Sequence, residues 1–169
     1  MNTIEKAYLF AEVAHASQKY GVNDYMTHIK DVHEICKTHA FSEHIEVSCI
    51  LHDVLEDTNV NYNLVKKHFG EEIANIVYDV TNEIGQNRKE IFQKTLPKLK
   101  ENPSAIIVKL CDRLANVQAC VENYDKNHKL YLMYQKEYTT FRKELIKCET
   151  WSMYVSSLWD KLDYLLDYY

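Results

Sequence analysis

Residues that break regular structure are scarce in this sequence, because its 169 residues include only 3 Gly and 2 Pro. Gly and Pro supply the turns on which β-rich folds depend, so their scarcity favours helices joined by short connections. The length suffices for one domain with a sizeable core, and 46% hydrophobic with 27% charged residues is an ordinary globular composition. We therefore expect a single all-α domain over residues 1–169.

The spacing of apolar residues predicts about eight or nine helices. Ile73, Ile76, Val77 and Val80, for example, follow the i, i+3, i+4, i+7 pattern of a helix with one buried face. The predicted helices cover residues 3–19, 27–39, 42–57, 61–69, 71–82, 87–100 and 105–120. Pro97 is expected to interrupt or end the sixth of these. Two long helices, divided near residues 148–150, are expected to close the chain.

Charge and cysteine usage restrict the class of protein. The net charge of −5 argues against a protein that grips duplex nucleic acid through its phosphates. Five cysteines, none in a CxxC pair, indicate reduced and mostly buried thiols in a cytoplasmic protein. Acidic and polar residues interrupt the first dozen positions, and no apolar stretch reaches the length of a membrane span, so we expect neither a signal peptide nor a membrane segment.

The segment HDVLED, residues 52–57, concentrates four titratable side chains. On a helix His52 and Glu56 are i, i+4 neighbours, as are Asp53 and Asp57. Packing these groups together is costly unless a cation neutralises the carboxylates. Imidazole combined with carboxylate suits Mn, Fe or Zn better than Ca or Mg. The segment therefore predicts a metal site.

Two further elements carry candidate ligands. Asp112 lies in the apolar run 105–117, one helical turn before Asn116, and a buried Asp needs a partner. His28 stands at the start of a predicted helix, just after a loop. Taken alone, Asp112 has a structural explanation as a salt-bridge partner of Arg113, and His28 as a helix-terminal or core histidine. The remaining histidines are assigned mainly to surface or packing roles.

Together these elements resemble the HD superfamily of metal-dependent phosphohydrolases, in which a His, an adjacent His-Asp pair and a later Asp bind one metal within a helical bundle. The sequence is most similar to the hydrolase domain of the RelA/SpoT proteins and their small stand-alone relatives, such as the metazoan SpoT homologue. The resembling segments are AHASQ (14–18), YMTH (25–28), LHDVLEDT (51–58), HFG (68–70), VT (80–81) and VKLCDRLANV (108–117).

The resemblance implies an all-α HD bundle, a Mn²⁺ ion and a phosphorylated nucleotide substrate. The residues that match the metal ligands are His28, His52, Asp53 and Asp112. Glu56 and Asp57 match the paired acids that assist hydrolysis in this family, and Asn116 matches an amide near the substrate. Lys109, Arg113, Lys19 and Arg88 are candidates to meet phosphate charge, although a solvated surface role explains each equally well.

The run QKYGVNDY, residues 18–25, departs from the family pattern. The family carries a basic stretch there, which grips the nucleotide. Here the loop is shorter, Lys19 is the one basic residue that remains, and Tyr20 stands where an Arg is expected. Tyr20 is a candidate to stack on a base, or else to pack within the domain.

Three hypotheses follow from these residues. The first is a Mn²⁺-dependent hydrolase of guanosine 3′,5′-bis(diphosphate) that releases pyrophosphate from the 3′ position. The second keeps the metal and changes the substrate to another nucleotide or phosphorylated cofactor, as the altered loop suggests. The third is a non-catalytic nucleotide- or partner-binding module. A homo-oligomer remains open in all three.

Overall fold

The computed structural model describes residues 1–146 and 153–167, in which the regular secondary structure is helical apart from one short hairpin. The helices are α1 (Thr3–His15), α2 (Tyr25–Thr38), α3 (Glu43–Leu51), α4 (Val54–Asp57), α5 (Tyr62–Phe69), α6 (Glu71–Val80), α7 (Arg88–Glu101), α8 (Pro103–Glu122), α9 (Tyr124–Leu145) and α10 (Met153–Asp167). The hairpin pairs β1 (Lys19–Tyr20) with antiparallel β2 (Asn23–Asp24). Because α4 is a single turn, nine longer helices remain in the described residues, which confirms the all-α prediction. The predicted division at residues 148–150 lies outside the described residues.

Asparagine side chains begin four of the helices. Asn2 accepts a hydrogen bond from the backbone N–H of Glu5, whose carboxylate accepts one in return from the Asn2 backbone. Asn61, Asn87 and Asn102 each accept a hydrogen bond from a backbone N–H in the first turn of α5, α7 and α8. Because each such cap contributes about 1 kcal/mol, the sequence itself fixes where these helices start.

Two predicted helix boundaries are wrong. α1 ends at His15 rather than at residue 19, because Ala16 turns the chain with a positive φ of 43° and Lys19 then enters the hairpin. Pro97 neither interrupts nor ends α7, which continues to Glu101. Pro97 and Gln93 lie on the exposed side of α7, so water can replace the hydrogen bond that the proline removes from the Gln93 carbonyl.

The predicted helix 42–57 is divided at its His-Asp pair. α3 ends at Leu51, and α4 starts at Val54. Successive side chains on a regular helix point about 100° apart, which separates the side chains of neighbouring residues. Asp53 leaves the regular helical conformation with φ −99° and ψ −2°, and this change lets His52 and Asp53 face one point.

α8 lies at the centre of the bundle and contacts α2, α3, α6, α7, α9 and α10. One part of the core packs α8 against α9 and α10, and the other packs α1, α2, α3, α5 and α6 together. The four described cysteines, Cys36, Cys49, Cys111 and Cys120, are buried and free, as predicted, whereas Cys148 lies outside the described residues. In residues 1–146 and 153–167, no helix combines the length and the apolar character needed to cross a bilayer.

Candidate metal centre and its cavity

The four candidate metal ligands converge from α2, α8 and the junction between α3 and α4. Nε2 of His28 lies 3.8 Å from Oδ2 of Asp53 and 3.4 Å from Oδ1 of Asp112. Nε2 of His52 lies 2.9 Å and 3.7 Å from the same two oxygens. Ligand atoms held about 2.1 Å from one ion are roughly 3.0 Å apart in octahedral and 3.4 Å apart in tetrahedral geometry. Each histidine nitrogen therefore stands near the spacing of metal ligands from both carboxylate oxygens.

The orientation of both imidazoles also fits a cation. Nδ1 of His52 lies 2.8 Å from the Cys49 carbonyl oxygen, and donation to that oxygen leaves the lone pair on Nε2. This Nε2 atom is buried and faces the Asp53 and Asp112 carboxylates. The His28 ring is held by stacking on Tyr20, with ring centroids 4.7 Å apart. A buried nitrogen lone pair directed at two carboxylates is what a divalent cation requires.

The electrostatics show how the charges balance without an ion. Burial alone would lower the pKa of His52, but the Asp53 and Asp112 carboxylates outweigh it and raise the pKa to about 9. Burial would raise the pKa of Asp53, but His52 outweighs it and lowers the pKa to about 2. Against the same effect of burial, Lys109 and the two histidines hold the pKa of Asp112 well below its usual range. A cation that binds here replaces the proton on His52.

Glu56 and Asp57 are held by different partners. The Glu56 carboxylate accepts hydrogen bonds from the backbone N–H of Asn82, at 2.9 Å, and from its side-chain amide, at 3.0 Å. Oδ2 of Asp57 lies 2.8 Å from the hydroxyl of Tyr25, which is also 2.5 Å from Oδ2 of Asp53. One phenol proton serves one acceptor at a time, so Tyr25 links a candidate metal ligand to a candidate catalytic acid.

Asn116 contacts a candidate ligand directly. Its side-chain amide nitrogen donates to Oδ1 of Asp112 at 2.6 Å, and its oxygen accepts a hydrogen bond from the Tyr20 hydroxyl at 2.8 Å. Asn116 therefore orients Asp112 and Tyr20 together. Asn116 makes both of these contacts without a substrate.

A cavity of about 690 Å³ opens over the centre, within the usual range for ligand sites. The predicted site residues that line it are Tyr20, His28, Asp53, Glu56, Asp57, Arg88, Lys109, Asp112, Arg113 and Asn116, whereas His52 lies buried behind this lining. The structure does not bring Lys19 to this cavity. Its side chain is 58% exposed and pairs with Asp24 across the hairpin.

The lining of the cavity is acidic overall. Its carboxylates are Asp53, Glu56, Asp57, Glu83, Asp112 and Glu137, and its permanent cations are Arg88, Lys109 and Arg113. Six negative and three positive groups leave three excess negative charges when His28 is neutral. An anionic ligand is repelled by such a surface unless a bound cation reverses the local field.

An ion-pair cluster that we did not predict also lines the cavity. Glu137 of α9 accepts two hydrogen bonds from Arg88, at 2.7 and 3.0 Å, and one from Arg113 at 3.3 Å. The Arg113 guanidinium lies 4.6 Å from the ring centroid of Tyr134. Glu137 and Tyr134 escaped prediction because they lie in the C-terminal helices, where the family resemblance is loose. Tyr25 stands inside the resembling segment 25–28, but no role was assigned to it.

Comparison with known proteins identifies the class. Residues 7–145 match the sequence profile described as the HD domain, and the chain belongs to the HD domain family. HD domains bind divalent metals, and atoms of His28, His52 and Asp53 lie within 4.8 Å of one another, close enough to hold one ion.

Individual relatives narrow the similarity. The chain is 34% identical over 121 residues to the guanosine-3′,5′-bis(diphosphate) 3′-pyrophosphohydrolase of Aquifex aeolicus, covering 68% of this chain and 17% of the relative. It is 31% identical over 123 residues to the GTP pyrophosphokinase rsh of Brucella ovis, covering 68% and 16%. The chain thus spans about a sixth of the length of these relatives.

A solved structure shares the fold. The structure of a metazoan ortholog of SpoT, described as hydrolysing ppGpp, has a TM-score of 0.75 and 19% identity, and covers 99% of this chain and 95% of that chain. The all-α bundle expected from the sequence is therefore an HD-domain bundle.

Proposed function

We propose that residues 1–169 act as one HD domain that hydrolyses guanosine 3′,5′-bis(diphosphate) in the cytoplasm, with Mn²⁺ as the metal. Water adds to the 3′ diphosphate, and the products are pyrophosphate and GDP. The observation that carries the proposal is that three of the four candidate ligands, His28, Asp53 and Asp112, line the same cavity as the Glu56–Asp57 pair. The relatives described as 3′-pyrophosphohydrolase and as hydrolysing ppGpp support this substrate.

The catalytic roles follow from the side chains around the centre. A bound divalent cation lowers the pKa of its water and polarises a phosphoryl oxygen. Glu56 and Asp57 orient the attacking water and accept its proton. The Tyr25 hydroxyl holds the Asp57 carboxylate close to that of Asp53. Asn82 positions the Glu56 carboxylate through two hydrogen bonds.

The substrate phosphates are bound by the basic side chains that line the cavity. Lys109, Arg88 and Arg113 line the cavity, and the planar guanidinium groups suit bidentate contacts to phosphate. Glu137 holds both arginines in the absence of substrate. Tyr20 lines the same cavity, stacked on His28, where it also offers an aromatic face to a base.

A product assay tests the proposal. Purified protein is incubated with guanosine 3′,5′-bis(diphosphate) and Mn²⁺, and pyrophosphate is measured. We expect release that EDTA abolishes, that Asp53→Ala removes, and that Asp125→Asn, a change at an exposed acid of α9, leaves unchanged. Absence of pyrophosphate at every Mn²⁺ concentration refutes the proposed substrate.

One observation favours the second candidate, an HD phosphohydrolase for another nucleotide or phosphorylated cofactor. Lys19, the one base of the altered loop, lies outside the cavity, so the loop brings no basic side chain to the substrate. A panel of phosphorylated nucleotides and dinucleotide cofactors, tested with the same protein and metal, separates the two. Higher kcat/KM on another substrate supports this candidate.

The non-catalytic alternative makes a different prediction for metal content. If the domain only binds a partner, wild type and Asp53→Ala should hold equal and negligible metal. We expect instead about one Mn²⁺ per chain in the wild type and a large loss in the variant, measured by elemental analysis after dialysis.

A further inference from the structure

Three buried cysteines meet in the core of the bundle, beneath the candidate metal centre, and none of them lines the cavity. Cys36 lies on α2, Cys49 on α3 and Cys111 on α8, and all three are fully buried. Their Sγ atoms lie within 4.8 Å of one another. The three residues are distant in sequence, so the fold alone brings them together. The hydrolysis proposed above uses none of these thiols.

The geometry of this cysteine trio suits one bound ion. Three thiolates on an ion at about 2.3 Å stand roughly 3.7–4.0 Å apart, so small side-chain movements would close the trio on an ion. Soft thiolate ligands select soft ions. In residues 1–146 and 153–167, no His, Asp or Glu joins the three sulfurs at this spacing. Since a structural Zn²⁺ site takes four ligands, the trio suits a three-coordinate ion better than zinc.

Charge balance further restricts which ion the three sulfurs can bind. The trio belongs to the same apolar core cluster as Val32 and Ile45, and a net charge buried there is costly. Three thiolates with a trivalent ion form a neutral unit. We propose that Cys36, Cys49 and Cys111 form a buried three-sulfur site for a trivalent thiophilic ion, for which arsenic(III) is the probe.

The binding reaction is a ligand exchange without oxidation or reduction. Arsenous acid, As(OH)₃, meets three thiols. Three As–S bonds form, three As–O bonds break, and each thiol proton leaves with one hydroxide as water. The arsenic stays trivalent and the sulfurs stay at the thiolate level. No further reactant is needed.

The sulfur site is chemically separate from the proposed Mn²⁺ centre, yet it joins the same three helices. Imidazole and carboxylate form one centre, and sulfur alone forms the other. Binding to the trio would link α2, α3 and α8 and would raise the melting temperature. Because the two donor sets select different ions, arsenic(III) should leave the Mn²⁺ stoichiometry unchanged.

Intact-mass spectrometry under native conditions tests the site. Wild-type protein is incubated with arsenite until binding is complete, because a buried site fills only through local opening. We expect one arsenic per chain with loss of three hydrogens. Cys120→Ala is the matched control, since Cys120 is also a buried cysteine of α8 but lies outside the trio. Cys148→Ser controls for the cysteine outside the described residues. Both should bind like the wild type.

Variants of the trio should lose the site. Cys36→Ala and Cys111→Ala should each bind arsenic(III) at least about tenfold more weakly. Unchanged binding in either variant, no binding to the native wild type, or loss of binding in Cys120→Ala or Cys148→Ser overturns the proposal.

Arsenic X-ray absorption on the wild-type protein gives a test that does not depend on how well the variants fold. A first shell of three sulfur atoms is expected. A shell that contains oxygen, or only two sulfurs, contradicts the three-sulfur site.

Discussion

The hydroxyl of Tyr25 gives the sharpest test of how the centre is held together. Tyr25→Phe removes the donor that lies 2.5 Å from Asp53 and 2.8 Å from Asp57. The change keeps the buried ring, which stacks on His15 with centroids 4.5 Å apart. A hydrogen bond to a charged group contributes about 1.5–3 kcal/mol, and 1.36 kcal/mol corresponds to a factor of about ten. We therefore expect Mn²⁺ affinity or kcat/KM to fall by roughly 10- to 150-fold.

The assay separates the two arms of this link. A Mn²⁺ titration reports on Asp53, and kcat/KM at saturating Mn²⁺ reports on Asp57. Tyr62→Phe is the control, because its hydroxyl donates to Asn75 on the surface, away from the cavity. Both quantities should stay near wild type in the control. A Tyr25→Phe protein that matches the wild type in both measurements would refute the inference that the hydroxyl positions either carboxylate.

Three further predictions concern metal, pH and substrate. Mn²⁺ at 100 times its Kd stabilises the folded domain by about 2.7 kcal/mol, which raises Tm by roughly 5–10 °C in a chain of this size. Thermal denaturation should show that EDTA reverses this rise and that Asp112→Ala lacks it. The folded pKa of His52, about 9, exceeds its ordinary value of 6.5, so its stabilising contribution in EDTA is complete below pH 6.5 and is lost as pH rises towards 9. Urea denaturation should show that the free energy of unfolding falls with pH in EDTA and rises with pH when Mn²⁺ is bound. The same direction of change in both conditions would contradict the prediction. Glu137→Gln frees Arg88 and Arg113 for phosphate and should lower KM about two- to fivefold. The control Glu144→Gln, which loses an ion pair with Lys100, should leave KM unchanged. A higher KM in Glu137→Gln counts against phosphate binding by the two arginines.

The fold could be predicted from local signals in the sequence. Few breakers, apolar spacing such as that of Ile73 to Val80, and asparagine caps act within a few residues, and they place most helices correctly. The wrong boundaries occur where distant contacts or solvent decide. Lys19 pairs with Asp24 in a hairpin instead of ending α1. Pro97 is accommodated within α7 because water can reach the carbonyl that loses its hydrogen bond on the exposed side.

The candidate ligands could be found because they form short motifs, whereas their supports could not. His52 and Asp53 are adjacent in sequence, but the conformational change at Asp53 that aims both at one point arises only in the folded chain. Glu137 and Tyr134 reach the cavity from α9, and Tyr20 meets Asn116 across 96 residues. No spacing in the sequence encodes such contacts.

The hairpin 19–24 and the metal centre are built from different parts of the chain. The candidate ligands are anchored in α2, α8 and the α3–α4 junction, while the hairpin adds a short strand pair that supplies Tyr20 to the cavity. The loop can therefore be exchanged while the four ligands keep their supporting helices. A basic loop of a RelA/SpoT hydrolase, grafted between residues 18 and 25 with Tyr20 kept as the ring that holds His28, should change which nucleotides are accepted and leave metal binding intact. Substrate choice and hydrolytic chemistry could then be engineered separately in this domain.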